Sequence, residues 1–409
     1  MYNNVMPRPH RGLRNRGKTS SLSSSPFYSS NANRGRNNSR RQSGEKIDIS
    51  RFIQKASDQT NAVAEEIVNS FADFGFVSEL ERNLKVKNYS IPTPIQDQSI
   101  NHILEGRDII ALANTGTGKT GAFLLPMINK AFKDNDQKVL IITPTRELAL
   151  QIADEFHCFS FGMRIFSALC IGGTPIGKQI ANLRRNPQFV IGTPGRLQDL
   201  HKRNLINYNQ FQNIVLDEVD RMLDMGFISE IRDILSQFPK VRQSLFFSAT
   251  MPPKIRALAE EFLQYPITVS INAGKTAQNV EQDIIRVGEG EKFDKLQNIL
   301  SQPDFQKVLI FSETKHGVEK LKTNLVNSGF SAESIHGDKR QGQRQRALNQ
   351  FKNNEVTILV ATDVAARGLD IKDISHVINY TIPETYDDYI HRIGRTGRAN
   401  KTGIALTFV

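Results

Sequence analysis

The stretch ANTGTGKT, residues 113–120, combines glycines, a lysine and a threonine at a spacing that suits phosphate binding. It follows the apolar run DIIAL, and Ala113 stands where the usual phosphate-loop pattern has its first glycine. The glycines let backbone amides curl around phosphates, the lysine supplies a positive charge, and the final hydroxyl can ligate Mg²⁺. A glycine-rich turn before a helix is the alternative. We predict a nucleotide-binding loop with the candidate residues Thr115, Gly116, Thr117, Gly118, Lys119 and Thr120.

A cluster of acidic residues lies in NIVLDEVDRMLDMGF, residues 213–227, where three carboxylates fall within four positions after an apolar run. An acidic residue that closes a neighbouring strand is the expected second half of a phosphate site. We therefore predict that Asp217 holds Mg²⁺ through its water shell, beside Thr120. Glu218 points differently and can orient or deprotonate the attacking water. An acidic helix start is the alternative, and it explains Asp220 better than the Asp-Glu pair.

The stretch HRIGRTGR, residues 391–398, places three arginines at three-residue spacing, which on a helix puts them on one face. A guanidinium that reaches the γ-phosphate from a second domain stabilises the charge of the transition state. The alternative is a solvated basic face. With a phosphate loop elsewhere in the chain, the spacing favours an arginine finger, for which the candidates are Arg392, Arg395 and Arg398.

The elements that must position these residues are short apolar runs that alternate with longer mixed segments. Continuous apolar runs that end in Gly, Thr, Asp or Ser are typical of buried parallel strands with sites at their carboxyl ends. The alternation of apolar runs and mixed segments begins again after the polar stretch 271–282. This pattern predicts two consecutive α/β domains with parallel sheets. The runs are 108–113, 139–145, 189–194, 213–218 and 244–250, then 307–314, 356–363, 376–381 and 403–408.

The chain is therefore predicted to contain four segments. A tail spans residues 1–60, a first domain 66–273, a linker 274–282 and a second domain 283–409. Only the first domain has a glycine-rich phosphate loop. The two halves are therefore predicted to share an architecture but not a phosphate-binding motif. The chain stops at Val409 directly after an apolar run, so either a covering element is missing or the chain is naturally short.

Composition indicates a globular protein, with 39% hydrophobic and 23% charged residues among 409. The sequence contains no run of about 18 apolar residues, which a membrane span would need, and its basic N-terminus lacks the apolar core of a secretory signal. Cys158 and Cys170 are too few for a disulfide scaffold or a cysteine metal site. The cell interior, meaning the cytoplasm, is the expected compartment.

Residues 1–46 hold most of the net charge of +11. They contain ten Lys or Arg and one Glu, a net charge of +9, which leaves +2 for the other 363 residues. The segment is rich in Ser, Asn, Arg and Gly with hardly any apolar periodicity, so we predict that it is disordered. It is either an arm attracted to phosphate backbones or a solubilising tail, and charge alone does not separate the two.

The ordered set of motifs resembles the DEAD-box family of ATP-dependent RNA helicases, over Phe71 to Val409. The resemblance implies two tandem RecA-like domains. NYSIPTPIQ, residues 88–96, resembles the family's adenine-reading motif, which implies that Gln96 reads the adenine edge while Tyr89 and Phe71 pack near the base. DEVD resembles the name-giving motif, and SAT, residues 248–250, the element that links the ATP state to unwinding. Residues implied to couple the two are Asp220, Ser248, Thr250 and Arg367.

Further motifs resemble the family's RNA-backbone contacts, namely PTRELALQ, GG and TPGR in the first half and LIFSET, HGDKRQGQR and ATDVAARGLD in the second. The RNA contacts implied by them are Pro144, Thr145, Arg146, Gly173, Thr193, Pro194, Arg196, Thr314, Gly337 and Thr362. The resemblance also implies that Asp370 faces the ribose and that Arg395 and Arg398 face the γ-phosphate. His391 would tie its motif to the rest of the site. The sequence around HGDKRQGQR is most similar to that of the bacterial RhlE-like branch.

Val219 departs from the family pattern, which has Ala at this position. The side chain gains two methyl groups between two acidic residues without removing a carboxylate. If it packs inward, overfilling costs about 1–3 kcal/mol unless neighbouring side chains are smaller. We expect the larger side chain to be accommodated, since the chemical groups of the motif are intact.

The resemblance implies RNA-stimulated ATP hydrolysis with ATP and Mg²⁺, coupled to local unwinding of short RNA duplexes or remodelling of RNA–protein complexes. An ATP-gated RNA clamp or annealing chaperone is the alternative. A DNA helicase is less favoured, because the Gln96 motif and DEVD resemble the RNA branch. RNA is the expected partner, with contacts to backbone and not to sequence. Ribosome-assembly or RNA-decay proteins are candidate partners, no membrane contact is expected, and the chain is expected to be a monomer.

Overall fold

Two β-sheets, one from each half of the sequence, organise the chain. The computed structural model describes residues 52–54, 67–114, 116–271, 280–288, 290–366, 371, 373–397 and 402–409. Within these residues all strand pairs of both sheets are parallel. The predicted α/β class, with two tandem domains on parallel sheets, is thereby confirmed.

The first sheet has seven strands in the described part of the chain, in the order β3-β4-β2-β5-β6-β1-β7. Neighbouring side chains along a strand enter different cores, because Val139 and Ile141 pack on one face while Leu140 and Ile142 pack on the other. The strands are β1 (Ile109–Leu112), β2 (Val139–Ile142), β3 (Ser167–Cys170), β4 (Phe189–Gly192), β5 (Asn213–Asp217), β6 (Gln243–Ser248) and β7 (Ile267–Ser270).

Helices cover this sheet and connect its strands, with a short 3-10 helix at Phe71–Phe74 before them. They are α1 (Ser78–Val86), α2 (Pro94–Leu104), α3 (Lys119–Lys133), α4 (Arg146–Phe159), α5 (Ile176–Leu183), α6 (Pro194–Lys202), α7 (Val219–Asp224), α8 (Ile228–Ser236) and α9 (Pro253–Phe262). Since the strands are parallel, the loops into α3, α4, α6 and α7 all leave the same edge of the sheet.

The second sheet has six described strands in the order β10-β11-β9-β12-β13-β8. They are β8 (Val280–Ile285), β9 (Val308–Phe311), β10 (Ala332–Ile335), β11 (Ile358–Ala361), β12 (His376–Asn379) and β13 (Gly403–Phe408). The helices around it are α10 (Lys292–Leu300), α11 (Lys315–Asn327), α12 (Gln341–Lys352), α13 (Asp363–Ala366) and α14 (Tyr386–Ile393). The strand order places α13, α11 and α14 after three adjacent strands, so their N-termini share one edge of the sheet.

Two predicted segment boundaries differ from the structure. The linker was predicted to run to residue 282, but β8 begins at Val280, where alternating burial reflects an edge strand with one covered face. Within the predicted tail, residues 52–54 contact the second sheet, with Phe52 fully buried. The remainder of the tail, the last two residues of the predicted first domain (272–273) and residues 274–279 of the linker lie outside the described residues.

Candidate nucleotide site and nucleic-acid interface

The phosphate loop connects β1 to α3. Gly116 and Gly118 have φ angles of +85° and +95°, in the left-handed region that favours glycine. A β-carbon on Gly118 would also lie 2.6 Å from the hydroxyl oxygen of Thr93. Lys119, the first residue of α3, is buried, and its Nζ donates to the carbonyl of Ala113 at 2.7 Å. The loop therefore closes around its own lysine, while Thr117 and Thr120 frame it and Thr115 lies outside the described residues.

The predicted adenine reader, Gln96, is tied to this loop. Its Nε2 donates to the carbonyl of Gly118 at 3.0 Å, and its Oε1 accepts from the backbone of Thr93 at 3.0 Å. Nearby, the rings of Phe71 and Tyr89 lie 6.1 Å apart between centroids. Gln96 therefore contacts the phosphate loop directly, Tyr89 lies near Gly121 in the first turn of α3, and Phe71 packs near Tyr89. Adenine reading by Gln96 stays a prediction.

The acidic end of β5 lies beside the loop. Asp217 is buried, and its Oδ1 accepts no hydrogen bond from the described residues. Burial raises the pKa of Asp217, while the positive charge of Lys119 lowers it and the negative charge of Glu218 raises it further. A bound cation would stabilise the ionised form, so this carboxylate suits a metal site. The described ranges contain no group of three or more His, Cys, Asp or Glu that could hold a metal ion.

Glu218 occupies a strained position with a buried partner. Its φ of +59° and ψ of +53° are left-handed, which is unusual for a residue other than glycine. Its Oε2 accepts from Nη1 of Arg221 at 2.9 Å, and both side chains are buried. Sequence reasoning missed Arg221, although its position three residues after Glu218 at a helix start was visible in the sequence. This ion pair fixes the glutamate at the turn between β5 and α7.

Asp220 joins the DEVD turn to the SAT segment. Its Oδ2 accepts from the backbone amides of Ala249 and Thr250, both at 2.9 Å, and from the hydroxyl of Thr250 at 3.2 Å. The hydroxyl oxygen of Ser248 accepts from the Asp220 amide at 3.2 Å. Burial opposes ionisation, but Lys119, Arg221, His391 and these amides together lower the pKa of Asp220. Three of the four predicted coupling residues, Asp220, Ser248 and Thr250, are therefore in direct contact.

His391 on α14 lies close enough to Asp220 for its charge to help lower the pKa of that carboxyl, so α14 of the second domain lies near the acidic cluster of the first. The helical-face argument for three arginines is wrong, because α14 ends at Ile393 and Arg395 follows in a turn. Arg392 is used inside the second domain, where it forms two hydrogen bonds of 2.6 and 2.7 Å with Asp363. Arg395 is buried, and its Nε donates to the carbonyl of His391 at 3.3 Å.

Three predicted functional residues cannot be placed. Arg367, Asp370 and Arg398 lie outside the described residues. The nucleotide roles of Asp370 and Arg398 and the coupling role of Arg367 therefore stay predictions.

A buried polar cluster joins α4 of the first domain to the start of α12 in the second. Glu147 accepts from Gln341 at 3.0 Å and from the guanidinium of Arg344 at 2.8 Å. All three side chains are buried. The motifs that contain these residues predict no role for them, since nothing in the sequence shows that two residues almost 200 positions apart pair. This cluster holds the two domains together away from the phosphate loop.

Arg344→Ala is expected to shift the two domains toward separation. The substitution leaves Glu147 as a buried carboxylate without its cation, which costs about 3–5 kcal/mol while it stays buried. Separation of the domains returns that carboxylate to water. Förster transfer between dyes on the two domains of the ligand-free protein should report a longer mean distance. Arg346→Ala, which removes an exposed arginine from the same helix, is the matched control. Equal distances in both variants would contradict the role of the cluster.

Four threonines of the predicted RNA contacts begin helices at the carboxyl ends of strands. Thr145 and Thr314 accept from backbone amides in the first turns of α4 and α11, Thr193 precedes α6, and Thr362 precedes α13. The preceding strands β2 and β4 are neighbours in the first sheet, and β9 and β11 are neighbours in the second. Amides at helix N-termini can bind phosphate oxygens, and in each domain two of these helix starts are adjacent.

The other predicted RNA contacts lie around these helix starts. Gly173 has a φ of +75°, and a β-carbon there would overlap the guanidinium of Arg146. Arg196 donates to Gln179 at 2.9 Å on one side of α6, whose first residue is Pro194. Gly337 lies against Lys315, which pairs with Asp338 at 2.6 Å. Pro144 precedes the N-cap of α4. The structure thus gathers the predicted RNA residues of each domain, and their contact with RNA stays a prediction.

Val219 packs inward, fully buried in the core that contains Met222, Leu216 and Phe246. We expect Val219→Ala to lower the free energy of unfolding by about 1.5–3 kcal/mol, because two buried methyl groups leave a cavity. The carboxylates stay in place, so ATP turnover should be unchanged. Urea unfolding of this variant and of Val241→Ala, whose valine is 89% exposed, gives the comparison. A gain in stability would show that valine overfills the core.

No helix in the ranges that the structure describes has the length and apolar character needed to cross a membrane. Fold and site together define a two-domain protein of the RecA-like α/β class, with a phosphate loop and an acidic strand end in one domain and an arginine-bearing helix in the other.

Comparison with known proteins identifies the family. The DEAD/DEAH box helicase family model matches residues 93–258, and the helicase conserved C-terminal domain model matches residues 291–400. The chain belongs to the DEAD-box helicase family. It is 45% identical over 344 residues to an ATP-dependent RNA helicase CshA of Listeria monocytogenes, covering 84% of this chain and 66% of that protein. It is 44% identical over 341 residues to the CshA of Limosilactobacillus reuteri, covering 83% and 69%.

A solved structure of Saccharomyces cerevisiae Dbp5 bound to RNA and ADP BeF3 matches with a TM-score of 0.75 at 30% identity, over 84% of this chain and 90% of that one. The two-domain RecA-like architecture is therefore shared with a protein that binds RNA and a nucleotide analogue. The chain spans about two thirds of the length of the curated relatives it matches.

Proposed function

We propose that this chain is an RNA-stimulated ATPase that couples ATP binding and hydrolysis to local unwinding of short RNA duplexes or to remodelling of RNA–protein complexes. One observation carries the proposal. His391 of the second domain acts on Asp220, and the same Asp220 binds the SAT segment. Asp220, a buried carboxylate near the phosphate loop, is therefore close to His391 of the second domain and hydrogen-bonded to the SAT segment. Such a residue couples the nucleotide site to domain closure.

ATP binds the first domain with its phosphates on the amides of 113–120 and its base near Gln96. Lys119 gives up its contact with the Ala113 carbonyl to neutralise phosphate charge. Thr120 and Asp217 would hold Mg²⁺, which supplies charge neutralisation at the phosphates and lowers the pKa of its bound water. Glu218 orients the attacking water, and Arg395 from the second domain stabilises the transition state.

RNA lies across the helix starts of both domains. The N-termini of α4, α6, α11 and α13, each preceded by a threonine, offer backbone amides to successive phosphates, so binding depends on the RNA backbone and little on sequence. ATP and RNA each favour the arrangement in which the two domains are together, and by linkage each raises the affinity for the other. Closure on one strand opens a short duplex locally, and hydrolysis releases the RNA.

An RNA clamp or annealing chaperone uses the same residues, with binding as its function and hydrolysis as its reset. The basic N-terminal residues, which hold +9 of the net charge, favour that second candidate because they add sequence-blind affinity. A strand-displacement assay with and without residues 1–46 separates the two. Displacement by both proteins supports an unwinder, whereas annealing alone, or displacement that needs the tail, supports the clamp.

The test of the proposed function is ATPase activity titrated with defined RNAs and with DNAs of matching sequence at stated salt. Stimulation by RNA and not by DNA is the expected result, since 2′-hydroxyl groups and A-form geometry distinguish RNA. Equal stimulation by DNA would favour a DNA helicase, and no stimulation by either would reject the proposal. We expect a cytoplasmic monomer, with ribosome-assembly or RNA-decay proteins as its protein partners.

Arg395→Ala is expected to slow hydrolysis far more than it weakens ATP binding. An arginine finger acts on transition-state charge, so kcat should fall about 10³-fold while the Kd for ATP changes by less than about threefold. Single-turnover hydrolysis and titration with a fluorescent ATP analogue measure the two quantities. Arg346→Ala, at an exposed position of the same domain, should change neither. Equal losses of binding and hydrolysis would argue against a finger.

A further inference from the structure

Phe52 precedes the first domain in the sequence, yet it is fully buried on the second. Its neighbours are Val280 on β8, Ala405 on β13, and Tyr389 and Ile393 on α14. The rings of Phe52 and Tyr389 are 4.5 Å apart between centroids, at an interplanar angle of 46°. Phe52 thus fills the groove between the edge of the second sheet and α14, and its removal would expose apolar groups of both.

The backbone of the same segment extends the second sheet. Gln54 donates to the carbonyl of Gln282 at 3.0 Å, and Gln282 donates back to the carbonyl of Gln54 at 2.7 Å. This exchange is the hydrogen-bonded pair of an antiparallel ladder. The pair covers the free edge of β8, the edge strand, at Gln282, whose amide points away from β13 and toward Gln54. Side chains reinforce the junction, because the hydroxyl of Tyr389 donates to Oε1 of Gln282 at 2.9 Å.

The groove is next to residues of the candidate site. Tyr389 lies two positions before His391 and six before Arg395, on the helix that meets the acidic cluster of the first domain. Ile393, which also contacts the groove cluster, ends that helix. Phe52 packs against Tyr389 and Ile393 and so holds α14 against the second sheet, and loss of this side chain would let the helix shift.

We propose that residues 52–54 are a cis-docking segment, which binds the groove between β8 and α14 and holds α14 where His391 and Arg395 act. The occupant is this chain's own segment, because thirteen peptide steps from Gln54 to Ile67 reach at most ~45 Å and give a high local concentration of Phe52 at the groove. Phe52 is a positioning residue. The docking part stands on packing alone, and the catalytic part rests on the proposed function.

The test compares full-length Phe52→Ala with Phe52→Leu and with Ile53→Ala, whose isoleucine is 53% exposed. Hydrogen exchange at the Gln282 amide reports docking directly, because Gln54 supplies its acceptor. In Phe52→Ala we expect this amide and those of α14 to exchange about tenfold faster or more. Phe52→Leu should lie between wild type and alanine, and Ile53→Ala should match wild type. Amides of β1 in the first sheet report that the protein is folded.

Turnover is measured on the same proteins. Phe52→Ala should lower the RNA-stimulated kcat about tenfold with unchanged ATP affinity, since the displaced helix carries the finger and not the phosphate loop. Unchanged exchange at Gln282 would overturn docking. Protection that grows with protein concentration, together with a dimer mass, would show a swapped segment and overturn docking in cis. Faster exchange with unchanged kcat would overturn positioning. If wild type hydrolyses no ATP, the proposed function fails, and exchange alone decides docking.

Discussion

Lys119→Ala is expected to reduce RNA-stimulated ATP hydrolysis by at least about 100-fold, the loss that follows removal of one preorganised charge from a phosphoryl-transfer site. The lysine is buried inside the loop, where its Nζ donates to the Ala113 carbonyl, so its charge is already held next to the phosphate-binding amides. The variant has a second effect. The charge of Lys119 lowers the pKa of Asp217, so its loss favours the protonated carboxyl, which is a poorer metal ligand.

The measurement is steady-state ATPase activity at saturating RNA, with ATP affinity from an independent titration. Lys133→Ala removes an exposed lysine from the last turn of the same helix and should retain wild-type turnover. Both variants are expected to fold, because the loop glycines and the Gln96 contact with Gly118 are unchanged. Thermal unfolding checks this expectation. Hydrolysis by Lys119→Ala at the wild-type rate would reject the assignment of the loop.

The interior strands of both sheets could be predicted, and the edge strands could not. All nine predicted runs became β1, β2, β4, β5, β6, β9, β11, β12 and β13. The four strands that the pattern missed, β3, β7, β8 and β10, are the two edges of each sheet. An interior strand is buried on both faces and is a continuous apolar run, whereas an edge strand such as β7 has only one well-buried residue among polar neighbours.

The same distinction explains the site. Motifs that work through local backbone geometry were predictable, because the phosphate loop and the strand-ending Asp217 lie within short, contiguous stretches. Partnerships between distant segments were not, since Glu147 meets Arg344 and Phe52 meets Tyr389 only after both domains have folded. The prediction that three arginines share one helical face was wrong for a related reason. It required a helix that continues past Ile393, where α14 ends.

The three close carboxylates at the end of β5 and the start of α7 have different partners in the structure. Each is assigned different counter-charges or donors, because Asp217 faces Lys119, Glu218 faces Arg221, and Asp220 faces backbone amides. The backbone of Glu218 is left-handed, and its side chain pairs with Arg221. Glu218 has a costly left-handed backbone conformation and a buried ion pair with Arg221, so we infer that the orientation of its side chain matters to function.

Glu218→Gln is therefore expected to abolish turnover while the fold and ATP binding survive. Glutamine has the same shape, and its amide oxygen can still accept from Arg221, so the left-handed turn keeps its partner. What is lost is the carboxylate that attracts a proton from the attacking water, and general-base catalysis is worth about 10²–10⁴-fold in rate. Single-turnover hydrolysis with pre-bound ATP and RNA measures the chemical step without contributions from binding.

The alternative role of Glu218 is structural, as the partner that neutralises Arg221, and the experiment separates the two. If the glutamate serves only to neutralise the arginine, Glu218→Gln should lower the melting temperature and weaken ATP binding together with hydrolysis. If it acts on water, only the chemical step falls. Asp224→Asn, which removes an exposed carboxylate from the end of the same helix, shows that charge on α7 alone is not responsible. A wild-type chemical step in Glu218→Gln would move the general base to another residue.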